Sequence, residues 1–269
     1  MNKKTLILYT FYDKSFEVEF FIKKGCFNHP DYKFIIISNN KNTNLKVPSF
    51  VELIKRENRG LDFGAWEEVL LTNNLYKGYD YFIFINNSCV GPFVPSYHKG
   101  YWCDIFNDNI TGDIKLFGTT INPIHIPAQQ AHVQSWCFNT DRTGLDILIK
   151  AAIFSSTSNW VVEGLVKPSH HGESFSKGKI IQKEIKMSRE IIDAGWNIGC
   201  LLDYYKGIDF RFKEKRPEEY DIDWNIGRDG DLAWRNHYMG MNMHPYEVIF
   251  IKSNRDIHIP LTLLPISER

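Results

Sequence analysis

Short runs of apolar residues, separated by polar turns, predict a series of buried strands in the first hundred residues of the chain. Tyr81–Ile85 is aromatic or aliphatic at every position, which is typical of a strand buried on both faces at the centre of a sheet. Similar runs at Thr5–Phe11, Phe34–Ile37 and Phe50–Ile54 predict three more strands. The expected core is therefore a sheet with Tyr81–Ile85 near its middle.

Two segments between these strands have apolar residues at helical spacing. They predict helices over Glu17–Phe27 and Ala65–Leu75. Strands that alternate with helices form parallel sheets, so we expect an α/β fold with a mostly parallel sheet.

The rest of the chain continues in the same manner, with weaker patterns. Lys115–Thr119 and Val133–Asn139 predict strands, Gly144–Phe154 and Ile180–Asp193 predict helices, and the segment before Lys252 predicts a final strand. In the second of these helices, Ile185, Ser188 and Ile192 fall on one face.

Polar residues follow two of the predicted strands directly. Asn86, Asn87 and Ser88 follow the central strand, and Ser38 begins the polar Ser-Asn-Asn sequence after Phe34–Ile37. Ligands of open α/β sheets bind outside the carboxyl ends of the strands, so these residues predict a polar ligand site. A turn that only closes a loop is the alternative.

The segment Arg56–Trp66 combines several residue types that bind ligands. Gly60 and Gly64 allow close approach of the backbone, and Asp62 precedes the predicted helix, where it can accept a hydrogen bond from a sugar hydroxyl. Arg56 and Arg59 offer donor forks to phosphate. A plain helix cap and solvated arginines are the alternative interpretation.

Composition narrows the class of partner. The net charge is zero, with 32 basic and 32 acidic residues, which argues against nucleic acid or an anionic membrane as partner. No apolar run reaches membrane-spanning length, and the first apolar run has no cleavage site, which favours a strand over a signal peptide. Five widely spaced cysteines predict reduced packing residues in a cytoplasmic protein.

Two further residues are candidates for chemistry. Glu184 is placed near the start of its predicted helix, where it is either a carboxylate favoured by the helix dipole or a general base held by a rigid element. His244 precedes Pro245 in a predicted loop, where it either binds a metal or has no such role. The nine histidines show no zinc-site pairing.

The order of these motifs resembles the rhamnan synthesis protein F family of polysaccharide glycosyltransferases. The resemblance rests on Arg56–Trp66 and on Tyr79–Phe93 with its Asn-Asn-Ser-x-x-Gly-Pro ending, and more loosely on Val133–Trp136, Glu184–Gly195 and His244–Lys252. It covers roughly residues 5–252.

The resemblance implies a GT-A glycosyltransferase fold in one domain spanning residues 1–269. Residues 1–95 would form the half that binds the nucleotide sugar, and residues 96–269 the half that binds the acceptor together with a C-terminal segment. The donor-binding residues it implies are Thr10, Phe11, Ser38, Arg56, Asn58, Arg59, Gly60, Asp62, Asn86, Asn87 and Ser88. The acceptor-binding residues it implies are Gln134, Ser135 and Trp136.

Asn86-Asn87-Ser88 matches the place of the family's Asp-x-Asp motif, which holds a divalent cation on the diphosphate. Mn²⁺ and Mg²⁺ favour carboxylate ligands, whereas these amides carry no charge, so the cation requirement stays open. The candidate metal ligands are Asn87 and His244. Residues that could neutralise the diphosphate instead are Arg56, Arg59, Lys252 and His244.

The implied reaction is transfer of a sugar, rhamnose or another deoxyhexose, from a nucleotide diphosphate to a glycan acceptor, with inversion. Glu184 matches the place of the general base, with Asp141 and Glu173 in reserve. A non-catalytic module that binds a nucleotide sugar or carbohydrate on the same fold is the alternative. A dinucleotide-dependent enzyme is disfavoured, because no G-x-G-x-x-G sequence follows the first strand.

Overall fold

A seven-stranded sheet forms the centre of the computed structural model, which describes residues 3–123, 131–156, 175–211 and 231–255. The strands are β1 Thr5–Phe11, β2 Tyr32–Ser38, β3 Val51–Lys55, β4 Tyr81–Asn86, β5 Cys89–Val90, β6 Ile114–Gly118, β7 Ile121–Asn122, β8 His132–Val133, β9 Cys137–Asp141, β10 Asn197–Cys200 and β11 Ile251–Lys252. The α-helices are α1 Phe16–Lys24, α2 Leu61–Leu71, α3 Trp102–Asn107, α4 Arg142–Lys150, α5 Phe175–Asp193 and α6 Pro245–Val248. Two 3₁₀ segments span Thr72–Gly78 and Asp203–Tyr205.

The strand order is β10-β6-β9-β4-β1-β2-β3, which puts β4 in the middle of the sheet. All neighbouring pairs are parallel except those of β9, which runs antiparallel to both β4 and β6. The prediction of an α/β fold with a mostly parallel sheet is therefore confirmed. Every residue of β4 is buried, as its uninterrupted apolar pattern predicted.

Two hydrophobic cores cover the two faces of the sheet. Phe82 and Phe84 of β4 belong to one core, and Ile83 and Ile85 to the other. Trp66 of α2 packs edge-on against Phe84, with ring centroids 5.3 Å apart. Burial of a side chain of this size contributes about 2–3 kcal/mol, so α2 is held firmly on the sheet.

Strand register brings the polar strand ends together at one edge. Thr10 of β1 lies opposite Asn86 of β4, and Phe11 lies opposite Ser38 of β2. The Asn87 N–H donates to the carbonyl of Thr10 at 3.0 Å, which extends the pairing into the turn after β4. This carboxyl edge is where a ligand site is expected.

Several predicted boundaries were wrong. Helix α2 begins four residues early, because Gly60 adopts a left-handed conformation (φ 73°) that starts it. The predicted strand Val133–Asn139 is divided between β8 and β9. Helix α5 begins before the predicted start, and the final strand is only β11, since Pro245 opens the short helix α6.

Within the described part of the chain, no helix is long and apolar enough to cross a membrane. The five cysteines are free, and four of them are buried. Burial raises the pKa of the Cys200 thiol to about 12, which keeps the thiol protonated at neutral pH.

Candidate functional site

Asn86, the last residue of β4, links two elements at the carboxyl edge. Its side-chain Nδ2 donates to Asp62 Oδ2 in the first turn of α2 at 2.9 Å. Its Oδ1 accepts hydrogen bonds from the backbone N–H and the hydroxyl of Ser88, at 3.0 and 2.5 Å. Asn86 therefore fixes the turn between β4 and β5 and orients the Asp62 carboxylate.

Asp62 has an altered protonation equilibrium. Burial raises its pKa to about 6, and the nearby negative charge of Glu184 adds to the rise, whereas the Asn86 hydrogen bond and Lys252 oppose it. The alternative interpretation of Asp62 as a plain helix cap was wrong, because Gly60 occupies the cap and Asp62 lies inside the first turn. Its carboxylate is thus directed to Asn86 and the site.

Glu184 is held by the segment between β8 and β9. Its Oε1 accepts hydrogen bonds from both the backbone N–H and the hydroxyl of Ser135, each at 2.7 Å. No group in the described residues donates to its second oxygen. Because α5 begins at Phe175, Glu184 lies in mid-helix, so the expectation that it sits near a helix start was wrong.

A second charged group, which the sequence did not indicate, lies around Asp231. Asp231 is buried and accepts hydrogen bonds from Gln134 Nε2 at 3.0 Å and from Arg255 Nε at 3.2 Å. Burial by itself would raise the pKa of Asp231, but Lys252, Gln134 and Arg255 together lower it. Asp231 is therefore a charged anchor for the C-terminal part of the site.

Lys252 joins this group to the turn after β4. Strand β11 pairs antiparallel with β5, with Lys252 opposite Cys89. Burial lowers the pKa of the Lys252 amine, and the charges of Asp231 and Glu184 oppose that shift. The carboxylates of Asp231, Glu184 and Asp62 thus all lie within electrostatic reach of the Lys252 ammonium group.

Arg56 has a different environment from the one the sequence suggested. It is 4% exposed, and its three guanidinium nitrogens donate to Glu68 Oε2, Asn39 Oδ1 and the Arg59 carbonyl. All three guanidinium nitrogens thus donate to acceptors within the protein, so the expectation that Arg56 binds phosphate loses its basis. Arg56 instead braces the turn that leads into α2.

Arg59 and Asn58 lie at the exposed edge of the same turn. Arg59 donates to the Glu57 carboxylate at 2.6 Å, and Lys41 contacts that carboxylate at 2.8 Å. Hydrogen bonds from Lys41 and Arg59 lower the pKa of Glu57 to about 2. Asn58 is exposed, and its side chain is available to a ligand from solvent.

Gly60 and Gly64 make room for the protein's own backbone. A Cβ atom on Gly60 would lie 2.4 Å from the Cα of Ser156, and one on Gly64 would lie 2.2 Å from the carbonyl of Arg59. The Ser156 N–H also donates to Glu67 Oε2 at 2.7 Å. The close approach that the sequence predicted is therefore made by Ser156 at Gly60 and by the Arg59 carbonyl at Gly64.

The strand-end residues of β1 and β2 differ in what they can offer. The Thr10 hydroxyl is buried, with no hydrogen-bond partner in the described residues, next to Asn86. Phe11 is buried in the core on the other face, and the Ser38 hydroxyl donates to the Asn40 carbonyl at 2.9 Å. Of these three side chains, that of Thr10 has a polar group without a hydrogen-bond partner in the described residues.

The three predicted acceptor residues separate into different roles. Ser135 contacts Glu184, and Gln134 is buried between Thr120 and Asp231. Trp136 is 1% exposed and packs in the hydrophobic core. The expectation that Trp136 binds the acceptor therefore loses its basis.

Asp141, a reserve candidate for the base, lies at the other edge of the sheet. It pairs with Tyr81 at the start of β4, contacts Lys115 at 2.8 Å and accepts the Gly144 N–H at the start of α4. It is therefore a structural cap. Glu173, the other reserve candidate, lies outside the described residues.

The residues at the Asp-x-Asp position do not fit a divalent cation. Asn86 Oδ1 is taken by Ser88, and the Asn87 amide is a neutral ligand. His244 caps α6, where its Nδ1 accepts the Tyr246 N–H at 3.2 Å. In the residues that the structure describes, no group of three or more His, Cys, Asp or Glu side chains is arranged to hold a metal.

Comparison with protein families gives a match. The family model described as rhamnan synthesis protein F matches residues 34–220. No curated protein matches the chain. The matched span includes the Asn86–Ser88 turn, Ser135 and Glu184, whereas Asp231 and Lys252 lie beyond it.

Proposed function

Because the chain belongs to the rhamnan synthesis protein F family, we propose that it is a glycosyltransferase of polysaccharide synthesis. Its donor is a nucleotide diphosphate sugar, and the sugar is rhamnose or another deoxyhexose. Its acceptor is a glycan hydroxyl. Within one domain, residues 1–95 serve the donor, and residues 96–269 comprise the acceptor-binding half and the C-terminal segment.

The observation that supports this proposal most strongly is the fixed carboxylate of Glu184. Two hydrogen bonds from Ser135 hold one oxygen, and the other oxygen lacks a donor in the described residues. A carboxylate held in this way, within electrostatic reach of Asp62 at the central strand end, has the features of a general base.

The proposed reaction proceeds by inversion. The acceptor oxygen attacks the anomeric carbon and transfers its proton to Glu184, while the bond between that carbon and the phosphate oxygen breaks. The nucleoside diphosphate leaves with the bonding electron pair. Ser135 positions Glu184, and the Asn86 amide positions Asp62.

Asp62 is proposed to accept a hydrogen bond from a hydroxyl of the donor's ribose or sugar. It lies in the first turn of α2 and accepts a hydrogen bond from Asn86, which lies opposite Thr10 of β1. The buried Thr10 hydroxyl has no partner in the described residues. Ser38 and exposed Asn58 complete the donor side. The deoxyhexose preference rests on the family description alone.

The test is sugar transfer by the purified chain. Nucleoside diphosphate release from dTDP-rhamnose, UDP-sugars and GDP-sugars is measured with rhamnose-containing oligosaccharides as acceptors, and products are identified by mass spectrometry. Glu184→Gln should lower kcat by about 10²- to 10⁴-fold and leave donor affinity unchanged. Glu190→Gln, on the same helix, is the matched control and should match the unaltered protein.

Two results would contradict the proposal. If no nucleotide sugar or nucleoside diphosphate binds the chain, the glycosyltransferase function is wrong. If donor binds but no acceptor yields product, and Glu184→Gln changes nothing, the chain is a non-catalytic nucleotide-sugar-binding module.

A further inference from the structure

The backbone around Lys252 is fixed against the turn that follows the central strand. Lys252 lies opposite Cys89 in the β5–β11 pair. Next to it, the backbone N–H and the hydroxyl of Ser253 both donate to the Ser88 carbonyl, at 2.8 and 3.2 Å. The Lys252 side chain therefore begins beside the segment that matches the Asp-x-Asp motif.

The ammonium group of Lys252 has no hydrogen-bond or ion-pair partner among residues 3–123, 131–156, 175–211 and 231–255. Lys252 is partly buried, and burial lowers the pKa of its ammonium group although the charges of Asp231 and Glu184 oppose that shift. An ammonium that is partly removed from water without a protein partner is less favourable than one in water. Such a group is typical of a site that is completed by a ligand.

Each carboxylate near Lys252 has at least one oxygen that already accepts a hydrogen bond from a protein donor. Asp62 accepts from Asn86, Glu184 accepts from Ser135, and Asp231 accepts from Gln134 and Arg255. A divalent cation bound here would also lie beside the fixed positive charge of Lys252. Like charges at this range repel, so Lys252 opposes a divalent cation at this position.

Arg255 is a second cation on the same segment. Its guanidinium lies over the Trp234 ring, 4.4 Å from the centroid, and its Nε contacts Asp231 at 3.2 Å. Its positive charge acts on Lys252 unfavourably. Two neighbouring cations repel each other, and an anion that binds to both offsets this repulsion.

We propose that Lys252, assisted by Arg255, neutralises the diphosphate of the donor in the position where related folds use a divalent cation. This inference rests on the proposed function. Three donor hydrogens on Lys252 would contact the phosphate oxygens next to the Asn86–Ser88 turn, and donor binding would then need no metal ion. Both residues lie beyond the span that the family model matches.

The test is calorimetric titration of the full chain with UDP, dTDP and GDP, first in EDTA and then with Mn²⁺. The diphosphate that binds should do so in EDTA, with a Kd within about threefold of its value in Mn²⁺. Lys252→Met should weaken its binding by about 10- to 100-fold, as expected for loss of a charged hydrogen bond. The corresponding monophosphate should change far less, and Lys252→Arg should recover most of the affinity.

Lys77→Met is the matched control, since Lys77 is exposed and precedes β4 at the opposite edge of the sheet. Circular dichroism checks the fold of each variant, and the EDTA comparison needs no variant at all. Binding that requires Mn²⁺, or that Lys252→Met leaves intact, would overturn this inference and leave the proposed function standing. If no diphosphate binds with or without Mn²⁺, both are wrong.

Discussion

Asp62→Asn is expected to stabilise the protein at neutral pH while impairing its function. The replacement keeps an oxygen that can accept the hydrogen bond from Asn86 Nδ2, now 2.9 Å from the carboxylate. It removes a negative charge whose burial is unfavourable. Functional residues of this kind often lower the stability of the fold.

The magnitude follows from the pKa of Asp62, which burial raises from 3.8 to about 6. Because the pKa of Asp62 is higher in the folded than in the unfolded state, the contribution of Asp62 to stability is fully present below about pH 4. This contribution is lost as the pH rises through 6. The loss reaches about 3 kcal/mol at pH 7.5 and is about 1 kcal/mol at pH 4.5. Asp62→Asn has no such loss, so its advantage should grow with pH.

Urea unfolding followed by tryptophan fluorescence at pH 4.5, 6 and 7.5 measures this advantage. At pH 7.5 we expect a gain of about 3 kcal/mol in the free energy of unfolding, or roughly 6–10 °C in Tm. Asp146→Asn, at an exposed position of α4, is the control and should stay within about 0.5 kcal/mol. A loss of stability, or a gain that does not vary with pH, would refute the reasoning about Asp62.

Two further predictions concern the residues that position the site. Ser135→Ala removes one of two hydrogen bonds to Glu184, so kcat should fall about tenfold or more while the donor KM stays unchanged. Ser135→Thr keeps a hydroxyl and should recover activity. A wild-type kcat for Ser135→Ala in steady-state kinetics would contradict this role. Gly60→Ala would place a Cβ 2.4 Å from Ser156 Cα at φ 73°, so it should lower the free energy of unfolding by about 2 kcal/mol or more. Gly78→Ala, with no atom within 4 Å of the added Cβ, is its control and should be near neutral in the same unfolding assay.

The core of the fold could be predicted from the sequence because its strands are apolar without interruption. Thr5–Phe11 is β1 as predicted, and β4 is both central and fully buried. The convergence of the strand ends followed from the parallel arrangement. These features depend on local patterns that a sequence displays directly.

The element boundaries near the site could not be predicted because they depend on distant contacts. Helix α2 begins at Leu61 because Gly60 adopts its left-handed conformation against the Ser156 backbone, which is remote in sequence. Gln134 leaves the predicted strand since its amide contacts Asp231. Neither contact has a signature in the local spacing of apolar residues.

The chemistry of individual residues was predictable in type but less so in role. Glu184 and Asp62 are both at the carboxyl edge, whereas Arg56 and Trp136 are engaged in the protein's own packing. Asp231 was missed, because a lone aspartate in a charged segment gives no signal. The position of a polar residue beside an Asn-rich strand end indicates a site residue better than its residue type alone.

The central claim is that a nucleotide sugar binds at the carboxyl end of β4, between Asp62, Glu184 and Lys252. A crystal structure of the chain with the nucleoside diphosphate that binds tests it most directly. We expect the diphosphate within hydrogen-bond distance of Lys252 Nζ, beside the Asn86–Ser88 turn, with the free oxygen of Glu184 facing the space for the sugar. Nucleotide density at any other edge of the sheet would contradict the account.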